Sequence, residues 1–83
     1  VLISTGLYGQ SILVAGEYFW NNDPGFSNGS PLSIASSATS IDETYSIDIP
    51  SDISIGANTL HIRFKDENGI WGLAKIKYFI SLS

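Results

Sequence analysis

Between Thr59 and Lys65 the sequence TLHIRFK sets Leu60, Ile62 and Phe64 against His61, Arg63 and Lys65. A repeat of two residues points alternate side chains to opposite faces of a strand, so one face here is apolar and the other cationic. TYSIDI repeats the pattern, with Tyr45, Ile47 and Ile49 opposed to Thr44, Ser46 and Asp48, and Pro50 closes it because proline cannot donate to a ladder. LAKIKYFIS places Ala74, Ile76, Tyr78 and Ile80 on one side and Lys75, Lys77 and Ser81 on the other, with Phe79 interrupting the polar side. Ser11 to Trp20 is apolar on both faces through Ile12, Leu13, Val14, Ala15, Tyr18 and Phe19, the pattern of a central strand. Val1 to Ser4 and Leu32 to Ala35 are shorter strand candidates.

No stretch carries apolar residues at three-and-four spacing over the roughly 11 positions that an amphipathic helix needs. Turn formers separate the strands instead: Gly6 and Gly9, Asp23 to Gly25, Asn28 to Ser30, Gly56 to Asn58, and Asp66 to Gly69. A sheet this apolar needs a second one to cover it, so the expected fold class is all-β, a small antiparallel β-sandwich. Residues 1–83 read as a single domain without an internal repeat, with residues 1–10 available as an exchanged or linking terminal strand.

Composition narrows the roles. Four basic and 8 acidic residues leave a net charge of -4, so nucleic acid would be repelled and is not an expected partner. There is no cysteine, which removes thiolate chemistry, disulfides and Cys-based zinc sites. Few residues are charged while Ser, Thr, Asn and Gly abound, a balance typical of extracellular β modules. No apolar run reaches the roughly 20 residues of a membrane-crossing helix, so membrane insertion is not expected. Without any methionine, Val1 is not an initiator, and the chain reads as a processed product, a fragment or one unit of something longer.

Reaction chemistry is not legible. His61 is the only histidine, its same-face neighbours Thr59 and Arg63 do not orient it as a base, and no Gly-x-Ser-x-Gly or paired-carboxylate motif occurs, so no enzyme is expected. The loop NNDPGFSNGS supplies weak calcium candidates in Asn21, Asn22 and Asp23, one carboxylate among neutral donors, to which Asp42, Glu43, Asp66 or Glu67 would have to add. A plain turn accounts for the same residues. Trp20, Phe26 and Trp71 are candidates for stacking on a glycan, against the competing use of aromatics to fill a small core. On that second view Trp71 folds over one end of the sandwich. Asn28-Gly29-Ser30 matches a glycosylation sequon, but Asn-Gly is also a common turn pair, and the turn is the expected reading unless the host glycosylates such sites. Asp66 and Glu67 are possible cross-strand partners for a face carrying Arg63, Lys65, Lys75 and Lys77.

Both termini are apolar strands. Val1, Leu2 and Ile3 at one end and Tyr78, Phe79 and Ile80 at the other are expected interaction residues, because an edge strand offers unpaired backbone groups to a neighbour. Val1 to Ser4 either completes another subunit's sheet or pairs within its own domain, and both paths stay open.

GANTLHIRFKDENGIWG, Gly56 to Gly72, resembles the final hairpin of bacterial immunoglobulin-like and fibronectin type III-like modules. Together with GEYFWNNDPGFSNG, Gly16 to Gly29, it is similar to the repeat-like modules of large secreted surface proteins of Bacteroidota, many of them exported by the type IX secretion system. The resemblance implies an immunoglobulin-like sandwich and a noncatalytic extracellular role as spacer, adhesin segment or filament subunit. Expected partners are copies of itself or neighbouring modules of one cell-surface protein, with a carbohydrate-binding adhesin as the alternative.

Overall fold

The computed structural model of the chain describes residues 1–5, 7–34, 38–41 and 44–82, with side chains except those of 7–10, 38–41 and 73. Gly6, Ala35, Asp42, Glu43 and Ser83, each part of an expectation above, lie outside the described residues. The described chain is all-β: β1 (Leu2–Ser4), β2 (Leu7–Trp20), β3 (Ser30–Leu32), β4 (Ala38–Ile41), β5 (Thr44–Ser46), β6 (Gly56–Asp66) and β7 (Trp71–Ser81). All pairings are antiparallel, in one two-stranded sheet, β1 with β5, and one five-stranded sheet in the order β3-β2-β6-β7, with β4 also on β2.

The alternation in β6 commits the core. Leu60, Ile62 and Phe64 are fully buried, and Ile3, Leu13 and Ile47 join them, so the small sheet and the large one share one apolar interior. Gly16 lies opposite Phe64, and a Cβ at that position would sit 2.8 Å from the phenyl ring. Glycine there makes room for the ring, which also meets Tyr45 of the small sheet at 6.4 Å. Val1 is held at home: its ammonium donates to the Ile47 carbonyl at 2.6 Å, and Ile47 N–H donates back to the Val1 carbonyl at 2.8 Å.

Several expected boundaries move. The central strand is central, but it begins at Leu7, so Gly9 lies inside β2 and not in a turn. Gly56 to Asn58 is not a turn either; it opens β6, with Asn58 buried and its amide donating to the Ser54 and Gly56 carbonyls at 2.8 and 3.1 Å. β5 stops at Ser46, and Ile49 is exposed. The strand expected from Leu32 ends there instead, pairing Ser30, Pro31 and Leu32 with Tyr18, Glu17 and Gly16. The turn at Asp66 to Gly69 is as read, with Asp66 Oδ1 accepting from Asn68 and Ile70 N–H and Gly69 at a φ of 81°.

Two register shifts flank the middle of β6. Leu13 pairs with Asp66 but Ala15 with Lys65, and Phe64 pairs with Gly72 but Arg63 with Ala74, leaving Val14 and Leu73 as extra residues. Each is a β-bulge, which changes the face to which the rest of its strand points. On β7 the result is an inversion. Lys75, Lys77 and Phe79 lie opposite Ile62, Leu60 and Asn58 on the inner face, while Ala74, Ile76, Tyr78 and Ile80 lie opposite Arg63, His61, Thr59 and Ala57 on the outer face.

Candidate functional site

The outer face of the large sheet is built around Arg63. Its register partner on β2 is Glu17, and the two side chains are 9% and 4% exposed. Nε and Nη2 of Arg63 both approach Glu17 Oε2, at 2.7 and 2.6 Å. Nη1 donates to Asp23 Oδ2 at 3.0 Å and Nη2 to the Gly25 carbonyl at 2.8 Å. The loop after β2 can lie across the sheet in this way because Asn21 adopts a φ of 62° and Gly25 one of 98°, and because Asp23 Oδ1 caps Gly25 N–H at 2.8 Å.

Aromatic rings close the cluster. The guanidinium carbon lies 4.9 Å from the ring centre of Phe19, 4.6 Å from that of Phe26 and 5.7 Å from that of Trp71. All three fall within the range of cation–π attraction. Phe26 and Trp71 stack on each other at 6.1 Å, and Lys65 Nζ sits 5.5 Å from the Trp71 ring. The Asp23 carboxyl is held below the ordinary aspartate value by its bond from Arg63 and then by that from Gly25 N–H. Burial, the largest single influence, pulls the Arg63 guanidinium down, but bonds to Asp23 and Glu17 together outweigh it and its pKa rises. The arginine's donors are directed to two carboxylates and a carbonyl, so the cluster clamps the loop to the sheet.

The expected site residues fall into separate places. Asn21 is turned to protein partners: Nδ2 donates to Asn58 Oδ1 and Oδ1 accepts from Thr59 N–H, both at 2.9 Å. Asn22 and Asp23 are exposed. Among the described residues no group of three or more His, Cys, Asp or Glu side chains converges as a metal site would require. Trp20 packs against the core and meets Phe79 edge-on at 5.9 Å, with its indole Nε1 buried and unpartnered among the described residues. Trp71 lies on the outer face beside Phe26, not over an end of the sandwich. His61 stacks on Phe19 at 4.7 Å, and its Nε2 meets Thr59 Oγ1 at 2.9 Å. Asn28 is exposed and donates to the Pro24 carbonyl.

The cationic face is a correction. Arg63 and Lys65 point outward, whereas Lys75 and Lys77 point inward, and Lys77 Nζ reaches the Leu2 carbonyl at the rim of the small sheet. The partners of Arg63 are Glu17 and Asp23, not Asp66 or Glu67. Glu17 was the residue missed. Its signal is a carboxylate in an otherwise uncharged strand.

The second feature is β7 itself, which pairs with β6 along one side and with no strand on the other among the described residues. Asn21 N–H donates to the Thr59 carbonyl and Thr59 N–H to Asn21 Oδ1, so the backbone of Thr59 faces β2. Backbone groups alternate in direction along a strand, so Leu60 and Ile62 face β7 and bond Lys77 and Lys75. The N–H and C=O groups of Ile76, Tyr78 and Ile80 therefore point away, toward the open edge. Their side chains are exposed as well: 47% for Ile76, 77% for Tyr78 and 59% for Ile80. Of the terminal residues expected to make contacts, Tyr78 and Ile80 stand at this edge. Ile3 is buried in the core, Leu2 is exposed on β1, and Phe79 is half-buried against Trp20.

Compared with protein-family models, with curated proteins and with solved structures, the chain matches none.

Proposed function

We propose that the chain is a noncatalytic extracellular module of immunoglobulin-like sandwich type, a unit of a cell-surface protein or filament that acts through contacts made by β7. The observation that carries this reading is the row Ile76, Tyr78 and Ile80, exposed on a strand whose outer backbone groups have no strand partner among the described residues. Monomeric proteins blunt such edges with charges, prolines or a covering element, because an apolar open strand templates pairing. On β7 the two inward-pointing lysines and the bulge at Leu73 restrict which strands can pair with the edge, while the outer row Ile76, Tyr78 and Ile80 carries no charge and is open to a partner that fits them. The sparse charge and the wealth of Ser, Thr, Asn and Gly support a setting outside the cell.

The clamp at Arg63 fits the same reading. A domain of 83 residues has a small core, and a buried ion pair with three aromatic rings holds the loop after β2 against the sheet. The scaffold behind β7 is thereby kept in one shape.

Amine labelling tests the proposal. Intact cells carrying the protein are treated with a membrane-impermeant amine reagent, and modification of Lys65 and Lys75 is read by mass spectrometry. Lys65 should be labelled on intact cells, and Lys75 should be labelled less than in the isolated chain because its strand is covered. Labelling that appears only after lysis would sink the extracellular setting. Lys75 reactivity equal to that of the isolated chain would sink the β7 contact.

A further inference from the structure

We infer that the partner of β7 is β7 of a second copy of this chain, paired antiparallel about a two-fold axis at Tyr78. The inference rests on the contact reading above and names its occupant. It follows from the phase of the backbone and from the position of two charges.

A symmetric antiparallel pair places residues equally far from the axis opposite each other, on the same face of the joined sheet. An axis at Ile76 gives the longest overlap but sets Lys75 against Lys77 of the second copy, and an axis at Lys77 sets that lysine against itself. Like charges directly opposite are destabilising. With the axis at Tyr78, Lys75 lies opposite Ser81 and Lys77 opposite Phe79. An axis at Ala74 overlaps as many strand residues and also separates the lysines, but it runs through the bulge at Leu73, so Tyr78 gives the longest regular overlap that keeps them apart.

The same register satisfies the backbone. Tyr78 points its N–H and C=O to the open edge, so an axis there makes a hydrogen-bonded pair of Tyr78 with Tyr78 of the second copy. Ile76 and Ile80 form equivalent pairs on either side. On the outer face Tyr78 meets Tyr78, Ile76 meets Ile80 and Ala74 meets Leu82, so the apolar row of one copy meets that of the other. Leu82 is 88% exposed in the single chain. The two five-stranded sheets become one continuous sheet. β1 is a poorer donor for this edge, since its backbone already pairs with β5 and Val1 is tied to Ile47.

The contact is one strand wide, below the roughly 800 Å² per partner of standard interfaces, so the dimer should be weak. Sedimentation velocity on the 83-residue chain, from about 10 μM to about 1 mM, is the first measurement, over a range where weak association is read directly. A reversible monomer–dimer equilibrium is expected. Ile76→Lys should weaken it roughly tenfold by placing a charge in two symmetric apolar pairs. Adding Ile80→Glu to the same chain should restore it, because position 76 then faces an opposite charge at position 80 of the second copy. Both substitutions change exposed side chains, and unchanged urea unfolding of each variant confirms the fold.

A monomer at every concentration overturns the second-copy assignment. A dimer indifferent to Ile76→Lys places the interface elsewhere and overturns it too. Loss without rescue overturns the Tyr78 register. None of these results touches the lysine labelling on cells, which decides the contact reading by itself.

Discussion

Replacing Arg63 with methionine keeps an unbranched apolar stem and removes the guanidinium. Glu17 would then be left as a carboxylate whose side chain is 4% exposed, facing no cation. Breaking a buried pair by removing one member costs about 3–5 kcal/mol, chiefly the penalty of the stranded charge. The three ring contacts would be lost with it. A chain of 83 residues has a total stability on the order of 4–12 kcal/mol, so the variant should lose at least about a quarter of it. Urea unfolding followed by the fluorescence of Trp20 and Trp71 measures this, and at a slope of about 1 kcal/mol per molar the midpoint should fall by about 3 M or to zero. The combined variant Arg63→Met with Glu17→Met should recover most of the loss, since no buried charge remains uncompensated. A loss under about 1 kcal/mol for Arg63→Met would show the pair to be as weak as an exposed one. A double variant no better than the single one would refute the stranded-charge argument.

Two further outcomes follow from the same geometry. Gly16→Ala should cost about 1–3 kcal/mol in the same urea assay, because its Cβ would meet the Phe64 ring at 2.8 Å in a packed interior; a neutral effect would mean that the ring moves freely. Asp23→Asn should destabilise the chain at neutral pH, and the gap between variant and parent should close in acid. The sign follows from the lowered carboxyl: its contribution is complete above the ordinary aspartate value of 3.8 and is lost as pH falls through the lower folded value. A gap independent of pH would show that Asp23 does not hold the loop through its charge.

Strand identity was legible wherever one residue type dominated a face. Leu60, Ile62 and Phe64 were assigned to one face by spacing alone, and all three are fully buried. The Asp66 to Gly69 turn was legible because Asp and Gly act on their own local backbone. β4 was not, since Ala-Thr-Ser-Ile carries no alternation and is a strand only because β2 extends beside it. The role of Arg63 was hidden for a similar reason. In β6 it occupies a polar position, and a strand pattern reads such positions as solvent-facing. What buries it is a loop some 40 residues earlier in the chain, whose path depends on the positive φ of Asn21 and Gly25.

β7 shows where periodicity stops being informative. Alternation divides a strand into two faces but does not say which one meets the core, and a shift of one residue exchanges them. Without the extra residue at Leu73, Arg63 would pair with Leu73, and Ile76 and Tyr78 would fall opposite Leu60 and Asn58, on the inner face. The bulge resets the phase. Trp71 remains on the outer face opposite Lys65, beside Phe26 and the guanidinium of Arg63, while three residues on Ala74 also points outward and carries Ile76, Tyr78 and Ile80 with it. Lys75 and Lys77 are turned to the inner face at the rim of the small sheet, where an ammonium on a long stem still reaches a carbonyl, as Lys77 does at Leu2. The same bulge therefore keeps Trp71 in the clamp and presents the apolar row at the open edge. The clamp and the exposed row are two consequences of one register, so a change at Leu73 would move both together.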